Sequence, residues 1–187
     1  MRISGGRALK LFLLVAIILA LDTATKYLTK ELVPLSMWSA SIYPYGGIGV
    51  FQSVIGVDLC ISHVTNTGGP LGVVSSHHNF LLLTRIFAIV CLIAHLLYFN
   101  KVSFRQLPFV FIISGAIGNV LDSFFYGHVI DMIHFYFFGY SMPVFNVADA
   151  FISIGVVMIL SHACFQKYKE QENQLVDSSD SPFNYEP

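Results

Sequence analysis

The chain has 187 residues, 11% of them charged and 55% hydrophobic, with a formal net charge of −1. That length suits one compact domain, but average soluble chains carry about 25% charged residues, and a soluble domain of this size could not hide so much apolar surface. The near-zero charge lacks the footprint of a nucleic-acid binder, and Cys60, Cys91 and Cys164 form no metal-type spacing.

Four apolar stretches follow in chain order, over about 9–28, 79–99, 107–125 and 142–165. Each has about the twenty residues that a helix needs to cross roughly 30 Å of hydrocarbon. Only a helix satisfies its own backbone within one pass, so all four are predicted as helical spans. Lys10, Asp22 and Lys26 interrupt the first stretch, and Arg85 lies in the second. The first stretch also has the outline of a cleaved secretory signal, with Arg2, Arg7 and Lys10 before an apolar core. Asp22 and Lys26 oppose that reading, because they suit a functional helix end rather than a cleavage site.

Between the first two spans, residues 29–78 are not a fifth one. Pro34, Pro44, Gly46, Gly47, Gly49 and Gly56 punctuate them too often for a helix in lipid. Residues 50–55 and 57–64 are expected as two short strands around Gly56. Trp38, Tyr43 and Tyr45 suit the headgroup level, as does the aromatic run Phe135 to Phe138 in the second loop. The expected fold is therefore an all-α membrane protein, four transmembrane helices with a small extracytoplasmic β-sheet. The polar, acidic tail over 166–187 is expected to be disordered in the cytoplasm.

Orientation follows from the basic residues. Arg2, Arg7 and Lys10 precede the first span, Lys101 and Arg105 link the second and third, and Lys167 and Lys169 follow the fourth. All three clusters fall on one side, expected to be cytoplasmic together with both termini.

Carboxylates near membrane spans are costly and tend to mark function. Asp22, Asp122, Asp131 and Asp149 all fall at the outer ends of the first, third and fourth spans, which suggests a shared polar site. Asn119 lies three residues before Asp122 and Asn146 three before Asp149, so each amide shares a helix face with its carboxyl. Asp22 and Lys26, four apart, can pair. Two carboxyls around one water share a proton, one acting as base and the other as acid. The plainer alternatives are a helix N-cap for Asp149 and a structural ion pair for Asp22. Adjacent His77 and His78 make a poor chelating pair, while His128 and His134 flank Asp131 and are expected to be solvated loop residues. A proton-coupled carrier and an assembly subunit are the rival functions.

Together, Asp22-Thr-Ala-Thr-Lys26, Asn66-Thr-Gly-Gly69, Gly118-Asn-Val-Leu-Asp122, Val129-Ile-Asp131 and Phe145-Asn-Val-Ala-Asp149 resemble the lipoprotein signal peptidases, the type II signal peptidases of bacterial inner membranes. The motifs stand in the family's order from the first span through the fourth. The resemblance implies an aspartic endopeptidase that cuts diacylglyceryl-modified prolipoproteins before the lipidated cysteine. It implies Asp131 and Asp149 as the catalytic pair, a choice that spacing alone does not make. Asn66, Asn119 and Asn146 would position substrate or orient the carboxyls, with Asp22, Asp122 and Lys26 in support. No metal or other cofactor is implied, and the partners would be prolipoproteins and membrane lipids, with no nucleic acid and no required oligomer. Two departures stand out. The family commonly has Arg directly after the residue matching Asp122, where this chain has Ser123, and Lys26 or Arg85 are the cations available to compensate. Gly69-Pro70-Leu71-Gly72 replaces the usual small residues followed by Phe.

Overall fold

The computed structural model describes residues 5–36, 42–67, 78–98 and 106–179. Trp38, Gly68 to Gly72, His77, the basic residues Arg2, Lys101 and Arg105, and the tail from Asp180 onward lie outside the described residues. Four helices carry the fold: α1 (Gly5–Leu32), α2 (His78–Tyr98), α3 (Gln106–Tyr126) and α4 (Val147–Ser179). All four are long and apolar enough to span a bilayer. A four-stranded antiparallel sheet in the order β1 (Ile48–Val54), β2 (Val57–Asn66), β3 (Val129–Phe137) and β4 (Tyr140–Ser141) stands at one end of the bundle. The protein is an integral membrane protein of four helices with a small sheet.

α3 is the central helix. It packs against α1, α2 and α4, and half of its apolar window is buried, against 11%, 6% and 11% for the other three. Those three turn most of their surface to lipid. On α1 the buried residues are Ile18, Asp22, Lys26 and Thr29, one stripe at helical spacing, while Leu9, Phe12, Leu13, Ile17 and Leu21 are exposed. Polar groups inside and apolar groups outside invert the soluble pattern, because here the surrounding solvent is hydrocarbon.

Small residues set the α3–α4 approach. A Cβ on Gly115 would collide with the backbone oxygen of Ala148, and one on Gly118 would come within 2.6 Å of Asp22 Oδ2. Close helix contact through small residues is the usual membrane solution, since apolar burial gives little drive between helices in lipid. We expect Gly115→Ala to force the two backbones apart and to destabilise the fold by about 1–3 kcal/mol, the typical cost of overpacking. Thermal unfolding in detergent checks this, and an unchanged midpoint would refute it.

The first two strands form near their expected positions, joined by a two-residue turn in which Ile55 and Gly56 both have positive φ. Phe138 and Gly139 repeat that geometry between β3 and β4, and the Phe138 ring lies where a Cβ of Gly56 would be.

Four expectations require correction. The segment after α3 is a strand, β3, and not a loop: Val129 to Phe137 is rich in β-branched and aromatic residues and pairs along β2. His134 within it is therefore buried, not solvated, and its ring nitrogens contact Ser62 Oγ at 3.2 Å and Ser141 Oγ at 2.8 Å. The fourth helix begins at Val147 and not at 142, because β4, Pro143 and the bridge between Ile133 and Phe145 hold the preceding residues extended. At its other end α4 runs on to Ser179, through residues expected to be disordered. Gln, Lys and Glu dominate 166–172 and are good helix formers, and no proline intervenes before Pro182.

Candidate active site

At the sheet end of the bundle three helices contribute one polar cluster. Lys26, only 2% exposed, donates from Nζ to Asp22 Oδ2 at 2.7 Å, Asp122 Oδ2 at 2.7 Å and Asn119 Oδ1 at 3.0 Å. An ammonium has three donors, so its capacity is filled. The expected Asp22–Lys26 pair is thus half of a larger triad tying α1 to α3. Asp22 also reaches α4, its Oδ1 accepting from the Ala148 N–H at 2.8 Å. That N–H belongs to the first turn of a helix, which has no partner within the helix.

Asn146 begins α4 as its N-cap. Its Oδ1 accepts from the Asp149 N–H at 2.8 Å, and Asp149 Oδ2 faces the Asn146 N–H at 3.4 Å, a reciprocal capping box. Asp149 is therefore not the N-cap, a place taken by Asn146, but one of its oxygens takes part in the capping box three residues in. The other, Oδ1, accepts from Asn119 Nδ2 at 2.7 Å. Asp149 is thus held by α3 and by the cap of its own helix.

Asp131 arrives from β3. It lies opposite Val64 of β2, and Asn66 at the end of β2 donates from Nδ2 to Asp131 Oδ2 at 3.0 Å. The second oxygen, Oδ1, accepts from Asn146 Nδ2 at 2.7 Å. Asn146 Nδ2 also donates to Asn119 Oδ1 at 3.2 Å, so an unbroken chain of amides runs Asp131–Asn146–Asn119–Asp149. Both carboxyls line one cavity of about 290 Å³. Burial pushes the Asp131 carboxyl up to about 6, and the negative charge of Asp149 pushes the same way, while the Asn66 and Asn146 hydrogen bonds oppose it.

The structure therefore brings all eight expected site residues together. Asp131, Asp149, Asn66 and Asn119 line the cavity. Asn146, Asp22, Asp122 and Lys26 stand behind it, fully or nearly buried. His134 lies three residues along the strand from Asp131 and so points to the opposite face. Among the described residues no group of three or more His, Cys, Asp or Glu could hold a metal ion.

Of the remaining wall, the sequence motifs name Val129 and Phe145 and the missing Arg points to Arg85, but the other residues are not foreseen. Val129, Pro143, Val144, Phe145 and Ile152 give it an apolar side, Ser153 adds a hydroxyl residue, and Arg85 enters from α2. Ser153 could have been found, since it lies one turn after Asp149 on the same face. Val144 could not, because its place depends on the neighbouring bridge between Ile133 and Phe145.

The family described as signal peptidase (SPase) II matches residues 14–165, most of the chain. The chain belongs to the signal peptidase II family. The lipoprotein signal peptidase of Chlamydia muridarum is 32% identical over 164 residues, covering 86% of this chain and 95% of that protein. The lipoprotein signal peptidase of Chlamydia pneumoniae is 43% identical over 103 residues, a stretch that spans 54% of this chain and 61% of the relative, less than two-thirds of its length. A solved bacterial membrane enzyme superposes with a TM-score of 0.65 at 22% identity, covering 95% of this chain and 94% of the other, which supports the fold alone. All five motifs lie within the residues that match signal peptidase II.

Proposed function

We propose that this chain is a membrane aspartic endopeptidase that removes the signal peptide from diacylglyceryl-modified prolipoproteins, cutting before the lipidated cysteine. The observation that carries the reading is the pair Asp131 and Asp149, lining one cavity and cross-linked through Asn146 and Asn119. Membership of the signal peptidase II family supports the substrate class.

In this mechanism a water sits between the two carboxyls. Asp149 takes a proton from it as the water oxygen attacks the scissile carbonyl carbon, and Asp131 gives its proton to the carbonyl oxygen. The resulting diol collapses with rupture of the C–N bond. The leaving nitrogen takes the proton held by Asp149, and Asp131 recovers one from the diol hydroxyl. Asn119, Asn146 and Asn66 hold the two carboxyls facing the water, so little reorganisation is needed at the moment of reaction.

In this reading the site lies near the outer membrane boundary. Asn119 stands seven residues before the end of α3 and Asp149 is the third residue of α4, so the polar cluster is about 10 Å below the helix ends at most. A lipidated cysteine anchored in the leaflet and an apolar signal helix would bring the scissile bond to that depth. Arg7 and Lys10 at one end of α1, with Lys167 and Lys169 beyond the fourth apolar stretch, support a cytoplasmic location for the opposite end, in a bacterial inner membrane. The sheet then faces outward.

Cleavage of a synthetic diacylglyceryl peptide by the purified protein tests the reading directly. Release of the signal peptide at the bond before the lipidated cysteine is expected, and an inactive wild type in lipid would overturn it. The pH dependence is a sharper readout. The pair must hold one proton, and that proton leaves Asp131 as pH rises through about 6. We expect kcat/KM, which reports the free enzyme, to fall about tenfold per pH unit on the alkaline side. A flat profile from pH 5 to 8 would contradict the shared proton.

A further inference from the structure

Among the described residues, Arg85 is the strong cation on the cavity wall, and it comes from a helix that supplies none of the eight expected residues. A charged side chain within a membrane span is costly and is retained where it has a task. Lys26 is consumed by its two carboxylates and an amide. Arg85 is arranged differently. Its Nη1 donates to Ser123 Oγ at 3.2 Å, and that hydroxyl donates onward to the Asn119 backbone oxygen at 2.9 Å. Ser123 is 3% exposed, so this corner is packed and the direction of the guanidinium is set by a buried anchor. Among the described residues the ion pairs are those of Lys26, and none neutralises Arg85.

A guanidinium has five N–H donors in a fixed fork. Here one is spent on the hydroxyl, and the half-buried side chain borders the same cavity as Asp131 and Asp149. The free edge of such a fork recognises oxygen acceptors, and Lys cannot reproduce its geometry. We propose that Arg85 is a substrate-positioning residue, which grips a neutral carbonyl oxygen of the bound precursor across the cavity from the aspartates. This rests on the peptidase reading and adds to it the side chain that fixes the substrate's register. Two parts of the precursor carry such an oxygen: the peptide backbone beside the scissile bond and the acyl esters of the diacylglyceryl group.

The test measures kcat and KM for wild type, Arg85→Gln and Arg85→Lys on a diacylglyceryl peptide in detergent, with thermal unfolding of each. Arg85→Gln is expected to raise KM about tenfold, the loss of roughly 1.4 kcal/mol of binding, with kcat nearly unchanged and the unfolding midpoint unmoved. Arg85→Lys should recover only part of the loss. The same assay with an ether-linked diacylglyceryl peptide, which lacks ester carbonyls, finds the acceptor. A penalty that persists puts it in the peptide, and one that vanishes puts it in the ester; both support the proposal. An active wild type with unchanged KM in Arg85→Gln overturns it, as does a loss that follows a lowered unfolding midpoint. A wild type that cleaves no lipidated precursor overturns the peptidase reading itself.

Discussion

Under the proposed mechanism, Asp131→Asn and Asp149→Asn are each expected to abolish cleavage of a lipidated precursor, with a loss of at least about 10³-fold, while leaving a folded protein in the membrane. Positioned acid–base groups typically contribute 10²–10⁴-fold, and each carboxyl here is asked to act once as donor and once as acceptor. An amide of the same shape can do neither. The fold should survive the change, because the exchange is isosteric. At position 131 the new amide oxygen can still accept from one of Asn66 and Asn146, which donate to Asp131 at 3.0 and 2.7 Å. The one donor left facing another donor costs about 1–3 kcal/mol, and removing a carboxyl whose charge burial disfavours offsets part of that. At position 149 the bond from Asn119 Nδ2 can be kept by the new carbonyl oxygen. Turnover of a diacylglyceryl peptide beside thermal unfolding in detergent separates chemistry from folding. Processing within tenfold of wild type by either variant would remove that residue from the catalytic pair.

Lys26→Met is expected to have a different consequence, the loss of a stably folded protein. Asp22 and Asp122 lie 1% and 7% exposed, both within 2.7 Å of the Lys26 ammonium. Without it, two buried carboxyls face one another with no cation between them, and Asn119 Oδ1 loses one donor. Removing one partner of a buried ion pair costs about 3–5 kcal/mol, a large share of the roughly 5–15 kcal/mol that typically separates folded from unfolded. Either a lowered unfolding midpoint or a loss of folded material in detergent is expected. Adding Asp22→Asn and Asp122→Asn to the same chain should restore part of the stability, since neutral amides need no counter-charge. A Lys26→Met protein within about 1 kcal/mol of wild type would show that the triad contributes little.

These two predictions separate six of the eight polar residues by their expected role. Asp131 and Asp149 line the cavity, whereas Asp22, Lys26 and Asp122 are buried behind it and join α1 to α3 and α4. Asn119 belongs to both sets. It accepts from Lys26 and donates to Asp149, so it links the position of the buried triad to the proposed catalytic pair.

The four helices were legible because each apolar stretch satisfies its backbone locally and is long enough to cross the bilayer, whatever the rest of the chain does. Asp22 and Lys26 were legible as a pair for a similar local reason, their four-residue spacing on one helix. The start of α4 was misplaced at 142 although the Asn146-Val-Ala-Asp149 box marks it, since the apolar residues before it continue the hydropathy of the span. Hydropathy reports length in lipid and not backbone conformation. β3 was missed for a related reason. Its aromatic residues suit a membrane interface as well as a strand, and only pairing with β2, more than sixty residues earlier in the chain, decides between them.

By itself the sequence determined a four-span membrane protein with its carboxylates gathered at one end, because burial in hydrocarbon and helical spacing are short-range constraints. It also carried, through five ordered motifs, the family resemblance that singled out Asp131 and Asp149. The tertiary structure decided what the carboxylates touch. It brought a residue from a strand and a residue from a helix start to one cavity through the amides of Asn119 and Asn146, gave Lys26 a second carboxylate, and set Arg85 beside Ser123. Those contacts join distant segments, and no local pattern encodes them. They exist because buried polar groups in a membrane must find one another.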